Sequence, residues 1–169
     1  MKLDVLPAKD PWYADGLSFT CTCCGNCCTG GPGYVWLSDV EVDRLAEHLG
    51  LSREQTLKQY CRKLHGKISL KEKLSPQGNY DCIFLEEIPA GPKEKGTIPL
   101  RRRGCGIYAA RPLQCRTWPF WDGNLASQKN WDNAAKRCPG MNTGKHYSKA
   151  RIEALREAPD WPDRPPSSK

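Results

Sequence analysis

Apolar positions along the chain come in short blocks, each closed by a capping or turn signal. In YVWLSDVEVDRLAEHLG, residues 34–50, Val42, Leu45, Ala46 and Leu49 recur at helical spacing. Ser38 with Glu41 three residues on forms a capping box, and Gly50 is placed to end the helix. LSREQTLKQYCRKLHG repeats the logic. Ser52 and Gln55 form the box, Leu57, Tyr60, Cys61 and Leu64 form the stripe, and Gly66 stops it. The pattern predicts two short helices joined by a tight turn. KISLKEKL and YDCIFLEEI, on either side of SPQGN, predict a β-hairpin, and GTIPLRRRGCGIY adds a strand or a turn. A helical turn starts at Arg111–Pro112, with proline at the first helical position, and Pro119 stops it. NLASQKNWDNAAKRC and SKARIEALREA read as two further helices.

The blocks predict three regions: an extended N-terminal arm over 1–17 with Trp12 and Tyr13 as anchors, one domain over 18–158, and a Pro-rich disordered tail over 159–169. No internal repeat is visible. The chain has 169 residues, with 38% hydrophobic residues, fourteen prolines and fifteen glycines. Such a composition supports one domain with a thin core, which gains from covalent or metal cross-links. The start of the chain lacks an apolar signal region, and no apolar run approaches the roughly 18 residues of a membrane span. A cytoplasmic protein without a membrane partner is expected. Thiols stay reduced in that compartment, so ten cysteines read as metal ligands or redox groups before disulfides.

Five of those cysteines fall in CTCCGNCC. Cys21, Cys24, Cys27 and Cys28 fit C-x2-C-x2-C-C, a spacing that lets a turn bring sulfurs to one side, as in zinc knuckles and ferredoxin-type loops. Adjacent thiols project differently, so the Cys27–Cys28 doublet points to two centres, or to one ligand beside a free thiol. Cys82, Cys105, Cys115 and Cys138 follow singly and bring the candidate metal ligands to eight, enough for two four-thiolate sites. Three loop cysteines and one distant cysteine would equally hold one cubane cluster. Cys23, inside the first interval, reads as a non-ligand, and Cys61, on the apolar stripe, as a small core residue. The net charge of +7 fits arginines that offset thiolate charge, since Arg103, Arg111, Arg116 and Arg137 all lie close to a cysteine in sequence. Trp118, Phe120 and Trp121 read as an apolar shell about the metal.

FTCTCCGNCC, CIFL, GCGIYAARPLQCRTWPFW and CPG, in that order over residues 19–140, resemble the YkgJ-like CxxCxxCC cysteine-cluster family of zinc- or iron-chelating proteins. The resemblance places the family's cysteines on Cys21, Cys24, Cys27, Cys28, Cys82, Cys105, Cys115 and Cys138, and its other fixed positions on Arg111, Pro112, Arg116 and Pro119. Arg111 and Arg116 are the expected cofactor-binding residues. Cys23, Cys61 and the basic insert AGPKEKGTIPLRRRG depart from the pattern. The family implies metal or iron–sulfur binding without fixing a reaction. Some longer relatives are flagellin lysine N-methylases, and no extra domain for that chemistry is visible here.

Together these readings predict an α+β fold: a small irregular metal-stabilised domain of short helices and a β-hairpin. It would hold an iron–sulfur cluster (4Fe–4S) or Zn2+ through thiolates, in a structural or redox role, with a redox or protein partner. Scattered second-half cysteines favour the cluster; a thin core favours structural zinc. Two alternatives stay open. One is an enzyme that uses the cluster or a free thiol, methylase- or oxidoreductase-like. The other is a nucleic-acid-binding module with structural zinc, using KEKGTIPLRRRG and nearby aromatic residues. His48, His65 and His146 read as solvated or capping residues. Asp39, Glu41 and Asp43 read as the acidic first turn of a helix rather than a catalytic pair.

Overall fold

The computed structural model describes residues 10–88 and 102–158. The tail at 159–169, the first nine residues of the arm and most of the basic insert lie outside them. The fold is α+β, with short helices between small antiparallel strand pairs.

Strand β1 (Leu17–Phe19) pairs with β9 (Met141–Tyr147). β2 (Trp36–Leu37), β4 (Lys67–Leu70) and β3 (Cys61–Leu64) form a three-stranded sheet in that order. β5 (Glu72–Leu74) pairs with β6 (Tyr80–Cys82), and β7 (Leu85–Ile88) with β8 (Arg102–Cys105). The helices are α1 (Asp39–Leu49), α2 (Arg53–Tyr60), α3 (Leu113–Arg116), α4 (Asp122–Leu125), α5 (Gln128–Ala135) and α6 (Lys149–Glu157).

Both capping boxes form as the sequence predicts. Ser38 and Glu41 satisfy each other's backbone N–H groups at the start of α1, as do Ser52 and Gln55 at α2. Arg53 then bridges Asp39 and Asp43.

Three elements differ from the sequence reading. The second helix ends at Tyr60, and Cys61–Leu64 is a strand. His65 and Gly66 both take left-handed φ, 48° and 78°, and make the two-residue turn that folds Lys67–Leu70 back onto it. The expected hairpin about SPQGN forms only between Glu72–Leu74 and Tyr80–Cys82, because each long run divides between two sheets. The helix expected over 124–138 is split, since Ser127 caps a new start at Asn130 N–H.

Apolar side chains gather in two cores. The first holds Tyr13, Phe19, Phe120, Trp131, Met141 and Ile152, and the second Leu37, Val42, Leu45, Cys61, Leu70, Phe84 and Ile107. Trp12 packs against the first core and donates its indole N–H to the Leu125 carbonyl at 2.8 Å. Each core is small, and nine of the ten cysteines line a cavity to which both cores contribute.

Candidate metal centre

The cysteine loop leaves β1 and is pinned at three points. At its start, the Thr20 N–H donates to the Gly140 carbonyl at 3.0 Å, which sets Cys138 beside Cys21. In the middle, Gly25 has φ 72°, and a Cβ there would stand 2.9 Å from Leu85 Cδ1 and 3.1 Å from the Arg103 carbonyl oxygen. Only glycine lets the loop lie this close to the β7–β8 hairpin that carries Cys105. At its end, Thr29 donates its hydroxyl to the buried carboxylate of Asp81 on β6, next to Cys82. Asp81 also pairs with Arg103 at 3.4 Å.

Cys115 arrives from the opposite direction, on α3. Glu41 of α1 accepts the Leu113 N–H at 2.5 Å, and the buried Gln114 side chain bonds the Trp36 N–H and the Tyr34 carbonyl at 2.8 Å each. These bonds fix a four-residue helix that has little intrinsic stability. Cys138 follows α5, where its N–H is held by the Ala134 and Ala135 carbonyls.

The result is one narrow cavity of about 40 Å³ lined by nine of the ten cysteines: Cys21, Cys23, Cys24, Cys27, Cys28, Cys82, Cys105, Cys115 and Cys138. All eight sequence candidates line it, and so does Cys23. The left-handed φ of 55° at Cys23 has no signature in the sequence. Cys61 lies apart in the second core, 6% exposed, as its position on an apolar stripe predicts. Phe19 and Cys138 bring the first core to this cavity, and Leu70 and Ile107 bring the second.

Cys27, Cys28, Cys82 and Cys115 also line a neighbouring cavity of about 180 Å³ beside Tyr34 and Trp121. The Cys27 and Cys28 sulfurs are 3.8 Å apart. Their hydrogen bond pulls the Cys27 thiol down to about 7 and pushes the Cys28 thiol up. Burial pushes Cys82 up to about 11 and raises Cys115 and Cys105, with neighbouring cysteines adding to the effect. No three His, Cys, Asp or Glu side chains among the described residues already converge on one ion-sized point. The thiols surround a shared space.

The polar shell is asymmetric. Arg111 lines the thiol cavity with Nη1 4.0 Å from the Cys21 sulfur and its guanidinium 3.7 Å above the Tyr108 ring. A hydrogen bond to Cys21, together with burial, pushes Tyr108 up to about 12. Trp118 donates its indole N–H to the Cys138 sulfur at 3.4 Å and packs edge-on against Trp121 at 4.8 Å. Arg116 is absent from this wall; it lines a separate cavity of about 530 Å³ with Arg44 and Lys67. Phe120 is buried in the first core, whereas Trp118 and Trp121 are half-buried.

The donor set suits a thiophilic metal: soft sulfur in excess, N–H groups directed at sulfur, and an apolar surround. A family model described as "putative zinc- or iron-chelating domain" matches residues 20–139. The chain is 26% identical over 108 residues to an uncharacterized protein of Methanocaldococcus jannaschii, covering 64% of this chain and 48% of that protein. It thus spans about half the length of that relative. No solved structure matches it significantly.

Proposed function

The chain belongs to the CxxCxxCC family, and from that premise we propose that it holds an iron–sulfur cluster between its two cores, in a structural or electron-transferring role. The observation that carries this reading is the number of thiols about one cavity. Nine line it, so three cysteines of the 21–28 loop and one distant cysteine can serve a cubane cluster with thiols to spare. Cys21, Cys24, Cys27, Cys28, Cys82, Cys105, Cys115 and Cys138 are the proposed ligand pool. A cluster would bring delocalised one-electron chemistry. The chain's own part is to supply thiolates, exclude water and tune charge. Arg111 offsets thiolate charge at Cys21, and the Trp118 N–H withdraws electron density from Cys138, both of which favour a more negative centre and raise its potential.

Zinc is the second reading. Cys27, Cys28, Cys82 and Cys115 line both of two adjoining cavities, a pool from which a structural zinc would draw thiolates. Its role would be to tie the two cores together, each too small to be secure alone.

Protein purified without oxygen separates the two. Iron with matching acid-labile sulfide and a broad visible band supports the cluster. Zinc with neither sulfide nor colour, even after attempted cluster assembly, supports the structural site.

A further inference from the structure

A second space of about 480 Å³ opens against the thiol cavity, within the range of small-molecule sites. Cys27, Trp118 and Cys138 are walls of both. Cys27 alone among the ten cysteines is exposed, so it is the thiol that an arriving molecule meets first.

The wall chemistry is selective. Arg137 is the one charged residue on it among the described residues, and four carboxamides surround it. Three of these are held in place by their own backbone bonds. Asn26 donates to the Arg137 carbonyl at 2.6 Å, Asn124 to the Pro119 carbonyl at 2.8 Å, and Asn130 to the Gly123 carbonyl at 2.9 Å. Each bond uses one amide N–H and leaves a carbonyl oxygen and a second N–H for a guest. The Arg137 guanidinium donates to the Thr29 carbonyl at 3.2 Å, which holds one of its five donors.

A bare divalent cation gains little from this wall, because its one fixed charge is positive. A metal wrapped in a small hydroxylated polycarboxylate is different: it is anionic. A free carboxylate can pair with Arg137, and its hydroxyl and metal-bound waters can pair with the carboxamides. We infer that the polar cavity is a docking vestibule where a carboxylate chelate of the metal hands its ion to Cys27, an inference that rests on the thiolate centre proposed above. The transfer is ligand exchange. A metal–oxygen bond to the chelator breaks, a metal–sulfur bond to Cys27 forms, and the thiol proton leaves with the displaced carboxylate. The oxidation state of the metal does not change. Cys138, on the same wall, is placed to take the ion next.

The test loads metal-free protein anaerobically with cobalt(II), given either as its citrate complex or as the aqua ion. The cobalt–thiolate charge-transfer band is followed in time. Arg137→Glu should slow loading from citrate about tenfold, the scale of steering by a local charge, and should speed loading from the aqua ion. Arg137→Gln should lie between wild type and Arg137→Glu for both donors, and all three proteins should reach the same final cobalt content. Equal changes for the two donors, or no change for either, would overturn the vestibule while leaving the thiolate centre standing. No charge-transfer band in the wild-type protein from either donor would overturn the thiolate centre itself.

Discussion

Thr20 and Gly140 meet backbone to backbone. The Thr20 N–H donates to the Gly140 carbonyl at 3.0 Å, and a Cβ on Gly140 would stand 2.1 Å from the Thr20 carbonyl oxygen. Two cysteine motifs more than a hundred residues apart are joined here, because Cys21 follows one residue and Cys138 precedes the other. Gly140→Ala forces β1 and β9 apart. The expected cost is about 1–3 kcal/mol, as for other overpacked sites, with a lower metal content per chain. Denaturant titration and metal analysis of the variant read both quantities. Unchanged stability and metal content would show that the junction tolerates separation.

The cysteines divide nine to one between the cavity and the second core. Cys115→Ala is expected to lower metal content, because it removes a sulfur from the cavity wall. Cys61→Ala is expected to leave metal content intact and to cost roughly 1–2 kcal/mol through lost packing. Metal analysis of the two variants side by side decides it. Metal loss in Cys61→Ala that exceeds the loss in Cys115→Ala would contradict the division.

The fold was legible where the signal was local. Ser38 with Glu41 and Ser52 with Gln55 are complete within four residues each, and both form. The clustered cysteines were equally plain, since their spacing alone brings sulfurs together. What escaped was non-local or conformational. The β1–β9 pairing joins Leu17 to Tyr147, and neither strand carries a signal strong enough to announce its partner. Cys23 reaches the cavity through a left-handed backbone that a non-glycine residue does not advertise. Arg116 is adjacent to Cys115 in sequence and faces elsewhere, because neighbours on a helix do not share a face.

Trp118 offers a finer test of the centre. Trp118→Phe keeps an aromatic ring in the wall but removes the N–H that meets the Cys138 sulfur at 3.4 Å. The expected loss is about 1 kcal/mol of stability, with unchanged metal stoichiometry. The sulfur-to-metal charge-transfer band shifts to lower energy, because the sulfur becomes more electron-rich. A band at the wild-type position would mean that the indole N–H does not act on the centre.

The metal-free protein should weaken in alkali. Burial raises Cys82 to about 11 and raises Cys105 and Cys115 as well, whereas an unfolded thiol sits near about 8.5. A raised folded value means that the neutral thiol is favoured in the fold. The stability it contributes is complete below the unfolded value and is lost as pH rises through about 11. Cys27 works in the opposite sense, its contribution being lost as pH falls through about 7. Melting of the metal-free protein should therefore fall as pH climbs from about 8.5 toward 11. Metal-loaded protein, whose ligands are already deprotonated, should resist that fall. Parallel melting curves for the two forms across this range would contradict the assignment of the buried thiols as ligands.

The most direct test of the thiolate centre is X-ray absorption at the metal edge of protein loaded without oxygen. A thiolate centre gives a first shell made of sulfur alone, and an iron–sulfur cluster adds a second shell of iron at short range. A first shell of nitrogen and oxygen would mean that the nine cysteines around the cavity do not hold the metal.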